Sequence, residues 1–523
     1  MKTILISMSP GLLPMLEYEL DIIQKELDKG SRVVVISCDG NRTKCESNNP
    51  REGQSFKPRY CFECKSRVNR GIGWLDASSE MLTVVDSSWL FETQKRSIGH
   101  IMGRIDSVKS KEKELIALVN IEGVDLFEAV KSGLQTDRCE SNINVTEYWD
   151  DFKDYIAVGL TSYYSAFNYI DHWTPDHIYI FNGRTPRYRT VMRAAEFHNV
   201  QFSIYEFPIS NFEDYTLIEG GYPHDPKLFS KSLFVNYHDS DLSESTKLAE
   251  GSEWYKRRFN RDKAAYNSVF STPVGLCDLD KMPENFNLEL YNLVVFISSE
   301  DEIVAEVFNN RPFDQPNGIK FISQSFPDIK IWVRMHPRLA NLDKKFVDSI
   351  HEVCNLYENT TIIPAASTVD SYQLMRSSDL VVGFGSTTVI EAAFMGKRSI
   401  NIGPSFHESF LAVKHIYTSD ELLTFIGKSR ENNFSLYPDV AKSYDGACGY
   451  AWSVSNYGVK SAHIDRKDTS IGGYMVRNGK KSSISPNILF KIYNRSLDLP
   501  VKLYWAFLAV IRDRSIRDRF LKN

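Results

Sequence analysis

The sequence predicts an α/β protein with two Rossmann-like, doubly wound domains facing a cleft, followed by a C-terminal helical appendage. Short apolar runs alternate with amphipathic stretches along most of the chain, which is typical of right-handed βαβ units and parallel sheets. The length of 523 residues suits about three domains, or two large ones. With 42% hydrophobic and 25% charged residues, the composition is that of an ordinary globular protein.

The first half of the chain contains the less regular series of elements. Residues 3–8 are predicted to form a buried first strand rather than a signal peptide, because Pro10, Gly11 and Pro14 interrupt the apolar run and acidic residues follow at once. The other predicted strands are 32–38, 82–86, 177–182 and 202–206, with helices over 12–29 and 185–198. Together these elements define a domain over residues 1–275.

The second half repeats the alternation more regularly and defines a domain over residues 285–445. Its predicted strands are 292–298, 330–335, 361–364, 380–384 and 399–402, with helices over 344–357, 371–377 and 386–395. The polar residues 239–271 predict a surface helix or an interdomain connection. Residues 446–523 predict a loop-rich segment, because 446–479 is rich in Gly, Ser and Tyr, and then an amphipathic basic helix.

Charge and cysteine usage exclude several classes of protein. A formal net charge of −5 excludes a polycation that binds nucleic acid, and no segment has the roughly 18 uncharged apolar residues of a membrane span. Eight scattered cysteines fit a reducing compartment, so we expect a cytoplasmic protein. Cys61 and Cys64 are spaced like half of a zinc site, but a structural site normally needs a second pair of ligands, and no metal is expected.

The clearest chemical motif is the segment from Gly383 to Thr388, which joins a predicted strand to a predicted helix. Glycines permit the tight turn. Gly385, Ser386 and Thr387 then lie at the helix start, where unpaired N–H groups and the helix dipole favour a phosphate. Glu391, one turn further on, can accept hydrogen bonds from ribose or sugar hydroxyls. The simpler interpretation of Ser386 alone is a helix cap.

A second motif follows the predicted strand 330–335. His336 precedes a proline there and can donate to phosphate oxygens, with Arg334 or Arg338 adding positive charge. An ordinary loop histidine is the simpler interpretation. If the two motifs end strands of one parallel sheet, both lie in the same crevice, because such sheets bind ligands at the carboxyl ends of their strands.

Together, these motifs resemble the C-terminal half of GT-B glycosyltransferases of bacterial capsule and surface-polysaccharide biosynthesis. The capsule-synthesis, Kdo-transferase and polysialyltransferase groups share a His-Pro motif and a later Ser/Thr motif. Phe181-Asn-Gly-Arg184 also resembles a motif in the N-terminal domain of surface-carbohydrate proteins, and Ser298-Ser-Glu-Asp301 fits the same group. The resemblance covers the chain from about residue 176 to residue 403.

The resemblance implies a nucleotide-sugar donor in the second domain and an acceptor in the first. Its implied donor-binding residues are Ser298, Ser299, Arg334, His336, Gly385, Ser386, Thr387 and Glu391. The catalytic base of the polysialyltransferase-like members is an acidic residue in an acidic-acidic-Gly motif, and Glu206 sits at the matching point, although Phe207-Pro208 follows it.

Three other acids compete with Glu206 as the base. Glu17 and Glu19 follow the loop after the first strand, and Asp39 ends the second strand, where each is otherwise a solvated acid. Asn182 and Arg184 can bind the acceptor or close the cleft.

The sequence therefore predicts a metal-independent glycosyltransferase that moves a sugar from a nucleotide-sugar donor to a glycan or lipid-linked glycan, with no separate cofactor. A nucleotide-sugar 2-epimerase, a polyol-phosphate transferase and a non-catalytic scaffold of a polysaccharide assembly complex remain alternatives. Residues 501–523, apolar and then basic, predict peripheral attachment to the inner face of the bacterial inner membrane. A terminal helix docked on the first domain is the alternative there.

Overall fold

A computed structural model of the chain describes residues 1–9, 11, 14–40, 44–45, 58–121, 123–207, 214–261, 278, 280–299, 311–340, 344–465, 474–477 and 480–483. The first series of elements is β1 (Thr3–Ser7), α1 (Met15–Asp28), β2 (Arg32–Ser37), α2 (Pro58–Trp74), β3 (Leu82–Asp86), α3 (Glu92–Arg104), α4 (Glu112–Val119), α5 (Leu126–Arg138), α6 (Trp149–Trp173), β4 (His177–Phe181), α7 (Pro186–Phe197), β5 (Gln201–Glu206), β6 (Asp214–Glu219), α8 (Pro226–Asp239) and α9 (Glu244–Phe259).

The second series begins at β7. It comprises β7 (Asn292–Phe296), α10 (Gln315–Ser325), β8 (Lys330–Arg334), α11 (Lys344–Asn355), β9 (Thr360–Ile363), α12 (Ser371–Ser377), β10 (Leu380–Gly383), α13 (Thr388–Phe394), β11 (Ser399–Ile402), β12 (Lys414–Ile416), α14 (Ser419–Arg430), α15 (Val440–Asn456), β13 (Val459–Lys460), β14 (Ile464–Asp465), β15 (Tyr474–Arg477) and β16 (Lys480–Ser483).

The first sheet has the strand order β13-β6-β5-β4-β1-β2-β3 in the described part of the chain. Strands β1 to β5 are parallel, while β6 pairs antiparallel with β5. The apolar residues of β1 and β2 are buried on both faces, as expected when helices cover both sides of a parallel sheet. The chain adds β2 and β3 on one side of β1 and then crosses to its other side with β4.

The second sheet has the order β12-β11-β10-β7-β8-β9, and its pairs are parallel. Numbered from β7, this is the order 3-2-1-4-5-6 of the Rossmann fold. The chain first adds strands on one side of β7 and then crosses to the other side with β10. The point between β7 and β10 is therefore the topological switch point, where open α/β sheets bind ligands.

The chain then returns from the second sheet to the first. Helix α15 packs against α8 and α9, and β13 pairs antiparallel with β6. An added Cβ at Gly446 would lie 2.3 Å from the carbonyl oxygen of Phe410, so the glycine permits close packing. This corrects the loop predicted for residues 446–456, which form a helix with a buried face instead.

The predicted fold of two doubly wound domains is confirmed, and the predicted strands appear within two residues of their expected bounds. The domain boundaries at residues 275, 285 and 445 remain predictions, as does the basic C-terminal helix, which lies outside the described residues. Within the described ranges, no helix is both long and apolar enough to cross a membrane.

Candidate active site

The predicted donor-binding segments meet at one edge of the second sheet. Phe296 pairs with Arg334 of β8 on one side and with Gly383 of β10 on the other, so the three strands end at the same level. Ser298 follows β7 and His336 follows β8, while the Gly385–Thr387 turn follows β10. Since neighbouring strands lie about 4.8 Å apart, the outer two of these segments lie about 10 Å apart at the level of the strands.

Ser298 fixes the switch point rather than pointing freely into it. Its hydroxyl donates to the carbonyl oxygen of Phe384 over 3.1 Å, which joins the ends of β7 and β10. Gln315 braces the same residue, accepting from its backbone N–H and donating to its carbonyl oxygen. Ser299, the next residue, is half-buried. Ser298 thus joins the ends of β7 and β10, and its place at a nucleotide site remains a prediction.

The turn after β10 requires a glycine and is fixed by a hydrogen bond to a side chain of β11. Gly385 has a φ of +76°, and its N–H donates to Asn401 Oδ1 over 2.7 Å. The helix begins at Thr388, two residues later than expected, and the Ser386 hydroxyl accepts the N–H of Thr388. Thr387 is the N-cap residue but makes no side-chain cap. The predicted turn with its two hydroxyl groups is therefore present, and its N-cap residue is Thr387 rather than Ser386.

A buried histidine, His407, also forms a hydrogen bond with this turn. His407 is 1% exposed, and burial together with the neighbouring His415 places its pKa well below the ordinary range. The imidazole is therefore neutral at physiological pH. Its Nε2 lies 3.4 Å from the carbonyl oxygen of Ser386, so Nε2 carries the proton and donates. No sequence motif points to His407, because it lies 21 residues beyond the turn it supports.

His336 and Arg334 differ in what they can offer a ligand. His336 is half-buried, and its Nδ1 accepts the N–H of Arg338 over 3.2 Å, which leaves the proton on Nε2. Arg334 is buried and donates to the carbonyl oxygens of Pro364 and Ser367. Burial lowers the pKa of Arg334 to about 10. Its charge therefore anchors a loop next to the site.

Glu391 is also engaged by the protein itself. The residue is 3% exposed, and its Oε1 accepts from Arg258 of α9 over 2.9 Å and 3.2 Å. This ion pair ties α13, the helix after the Ser386 turn, to α9. A contact of Glu391 with ribose or sugar hydroxyls remains a prediction.

The first sheet places Glu206 beside Asn182, as neighbouring strands β4 and β5 require. Asn182 Nδ2 donates to Glu206 Oε2 over 2.5 Å, and Asn182 Oδ1 accepts the N–H of Arg184. The guanidinium of Arg184 is buried and donates to Thr136 on α5. His224, which the sequence analysis did not identify, completes the group, with Nε2 at 3.0 Å from Asn182 Nδ2 and 3.6 Å from Glu206 Oε2.

The environment of Glu206 keeps its carboxylate charged. Burial raises the pKa of Glu206, but the N–H of Phe207 and the Asn182 amide donate to its carboxylate, lower its pKa and favour the ionised form. The carboxylate is therefore ionised at neutral pH. A base must be ionised before it accepts a proton, so the structure is compatible with the predicted role of Glu206.

The other candidate bases are not brought to this group. Glu17 is fully buried in an ion pair with Arg67, and Glu19 accepts from the N–H of Ser9 and from the Tyr205 hydroxyl. Asp39 follows β2, three strand spacings from β5, or about 14 Å at strand level. Both glutamates therefore stabilise the loop after β1, Glu19 directly and Glu17 through Arg67, and neither lies at the open edge of the sheet.

Helix α8 connects the two candidate sites. It starts two residues after His224. The Phe229 ring lies 5.7 Å from the Phe406 ring, and Ser230 Oγ accepts the N–H of Ser409. Phe406 precedes the histidine that holds the Ser386 turn. The first turn of α8 and the contact between Phe229 and Phe406 therefore connect the Glu206 group of the first sheet to the Ser386 turn of the second.

No group of three or more His, Cys, Asp or Glu residues in the described part of the chain is arranged to hold a metal ion. Cys64, one of the two cysteines considered above as zinc ligands, accepts the N–H of Gly11 through its Sγ over 3.0 Å. Metal independence of the chemistry remains a prediction.

No protein-family model and no curated protein sequence matches the chain. Among solved structures, it is similar to the KpsC beta Kdo 2,4 transferase of Thermosulfurimonas dismutans, with 12% identity over 61% of this chain and 87% of that chain and a TM-score of 0.34. It is also similar to a putative UDP-N-acetylglucosamine 2-epimerase of Listeria monocytogenes, with 11% identity, 86% and 94% coverage and a TM-score of 0.25.

The UDP-GlcNAc 2-epimerase of Neisseria meningitidis is a third such structure, with 10% identity, 87% and 97% coverage and a TM-score of 0.24. At these identities and TM-scores, no activity carries over to this chain, and its function has to be inferred from its own residues. Its own two Rossmann-like sheets, joined in one chain, confirm the predicted GT-B fold.

Proposed function

We propose that the protein is a glycosyltransferase that binds a nucleotide-sugar donor at the switch point of the second sheet and transfers the sugar to a hydroxyl held at Glu206. The observation that supports this most is the convergence of Ser298, His336 and the Ser386 turn at the level ends of three neighbouring strands. The ionised carboxylate of Glu206 lies at the C-terminal end of β5 in the first sheet, and α8 connects this region to the segment that supports the Ser386 turn.

The chemistry requires two things that these residues can supply. A leaving nucleotide phosphate needs donors aimed at its oxygens, and the His336 Nε2–H with the hydroxyls of Ser386 and Thr387 is suited to that. The acceptor hydroxyl needs a base, and Glu206 is a charged carboxylate in a buried setting. In this proposal, no metal or separate cofactor takes part, and the acceptor is a glycan or lipid-linked glycan of surface-polysaccharide assembly at the inner face of the membrane.

A ligand-binding screen tests the donor site directly. Thermal unfolding of the full chain should be followed with UDP, CMP, GDP and CDP, each with and without EDTA. A ligand present at 100 times its Kd stabilises the folded state by about 2.7 kcal/mol. We expect one nucleotide to raise Tm by several degrees, and EDTA to leave that increase unchanged.

Two substitutions and a control locate the binding. His336→Ala and Ser386→Ala should each abolish most of the increase in Tm. Ser435→Ala, an exposed serine in the loop after α14, should retain it. Absence of any increase with all four nucleotides would overturn the donor-site proposal. Release of an isomerised nucleotide sugar without acceptor would instead identify an epimerase.

A further inference from the structure

His224, Asn182 and Glu206 form a compact polar group at the edge of the first sheet. They come from three separate segments: the loop before α8, the turn after β4 and the end of β5. The side chains of His224 and Glu206 keep 23% and 12% of their surface exposed. A solute hydroxyl can therefore approach the group, whereas Glu17 and Glu19 are closed off.

The hydrogen bonds fix both the amide and the imidazole. Asn182 Oδ1 accepts the N–H of Arg184 over 3.1 Å, so the Asn182 NH2 group must face Glu206 and His224. An NH2 group can only donate. Glu206 Oε2 and His224 Nε2 therefore both accept from the Asn182 amide, and the two acceptor atoms lie 3.6 Å apart.

The turn that carries Asn182 is rigidly placed. Asn182 and Gly183 have φ angles of 58° and 73°. An added Cβ on Gly183 would lie 3.2 Å from both Ile204 and Tyr222, so the turn is packed on two sides. This packing fixes the position from which the Asn182 side chain reaches Glu206.

Glu206 is the charge that faces the imidazole. The other charged residues on the elements that meet at His224 are engaged elsewhere: Arg184 donates to a threonine hydroxyl on α5, Asp225 caps α8, and Lys227 lies over a tyrosine ring. A proton placed on Nε2 would therefore be stabilised mainly by the carboxylate 3.6 Å away.

We propose that Glu206 and His224 act as one proton-accepting pair, in which Glu206 receives the proton of the acceptor hydroxyl and His224 then holds it. Glu206 is the catalytic residue, and His224 and Asn182 are positioning residues that act through it. This inference rests on the proposed function. Its physical reason is that a carboxylate surrounded by donors is a weak base, and an unprotonated imidazole beside it gives the proton a more favourable site.

The step balances without any further reactant. The O–H bond of the acceptor breaks, and its proton passes to Glu206 Oε2 and then to His224 Nε2. The acceptor oxygen forms the new bond to the anomeric carbon of the donor sugar. The bond between that carbon and the phosphate oxygen breaks, and its electron pair leaves with the nucleotide.

His224→Gln in the full chain tests the pair by its pH profile. We expect kcat at neutral pH to fall by about 10- to 100-fold, toward the low end of the range for a lost general base, while KM for the acceptor changes by less than about 3-fold. The acid limb of the kcat profile should move to lower pH, because only Glu206 then has to be ionised. His100→Gln, an exposed histidine on α3, is the matched control and should change neither quantity.

The acid limb separates the pair from a structural role. A fall in kcat with the acid limb unmoved would overturn the inference. The increase in Tm with nucleotide should persist in His224→Gln, so loss of the pair and failure of the donor site give different results.

Spectra of the ¹⁵N-labelled histidines give a readout that needs no activity, with His224 assigned from its absence in His224→Gln. At neutral pH Nε2 should be unprotonated, and Asn182→Ala should change that signal. A proton on Nε2 at neutral pH in the unsubstituted chain would refute the pair even if no transferase activity were found.

Discussion

Glu19→Gln tests how burial of a single carboxyl group sets the pH dependence of stability. Glu19 on α1 is fully buried, and burial raises its pKa from 4.5 to about 7, although hydrogen bonds from Tyr205 and Ser9 oppose the increase. Its Oε2 has no hydrogen-bond partner among the described residues. Glutamine keeps the shape and the accepting Oε1 atom, and it removes the charge.

The sign and size of the effect follow from linkage. Because the folded state holds the proton more tightly than the unfolded state, the contribution of Glu19 is fully present below pH 4.5 and is lost as the pH rises through about 7. One unit of pKa difference corresponds to about 1.4 kcal/mol. The free energy of unfolding of the unsubstituted chain should therefore fall, relative to Glu19→Gln, by about 3 kcal/mol between pH 4.5 and pH 8.

Urea unfolding at pH 4.5, 6, 7 and 8 measures this difference, and subtraction of the two chains cancels the titration of all other groups. Glu112→Gln, an exposed glutamate at the start of α4, is the control and should give a difference that is flat with pH. If the Glu19→Gln difference were equally flat, or if it changed in the opposite direction, the burial argument would be refuted.

Two further substitutions test the contacts that join α9 to α13 and α15. Gly251→Ala on α9 would place a Cβ 2.0 Å from the carbonyl oxygen of Cys448 on α15, so a loss of about 1–3 kcal/mol or more is expected in calorimetry. Gly73→Ala, which meets no atom within 4 Å, should lose nothing. Arg258→Met leaves the buried carboxylate of Glu391 without its arginine and should cost about 3–5 kcal/mol in urea unfolding. The double variant that also carries Glu391→Met should recover most of that loss; equal losses in the single and double variants would argue against the ion pair.

The strands of the second sheet could be predicted because burial on both faces produces uninterrupted apolar runs, such as β7 and β10, between turn residues. The apolar runs alone do not predict that His336 and the Ser386 turn lie at the same edge of the sheet. It depends on β7 lying between β8 and β10, and this strand order is set by packing of the whole domain.

The residues that were missed are partners across long stretches of chain. His224 meets Asn182 across 42 residues, and the motif around each is ordinary when taken alone. Gly446 and Gly449 were misinterpreted for a related reason. Glycine weakens an isolated helix, yet here it allows α15 to approach Phe410 and Tyr237 closely, and only the packed structure reveals that benefit.

The same contacts suggest why donor and acceptor sites would work together. The Ser386 turn opens α13, and α13 is tied to α9 through Glu391 and Arg258. His407 supports the turn from behind, and the segment that follows it docks on α8 through Ser409. Since α8 starts directly after the loop that carries His224, packed elements join the Ser386 turn to the group of His224, Asn182 and Glu206. If the two sites act in one reaction as proposed, this chain of contacts fixes their relative position.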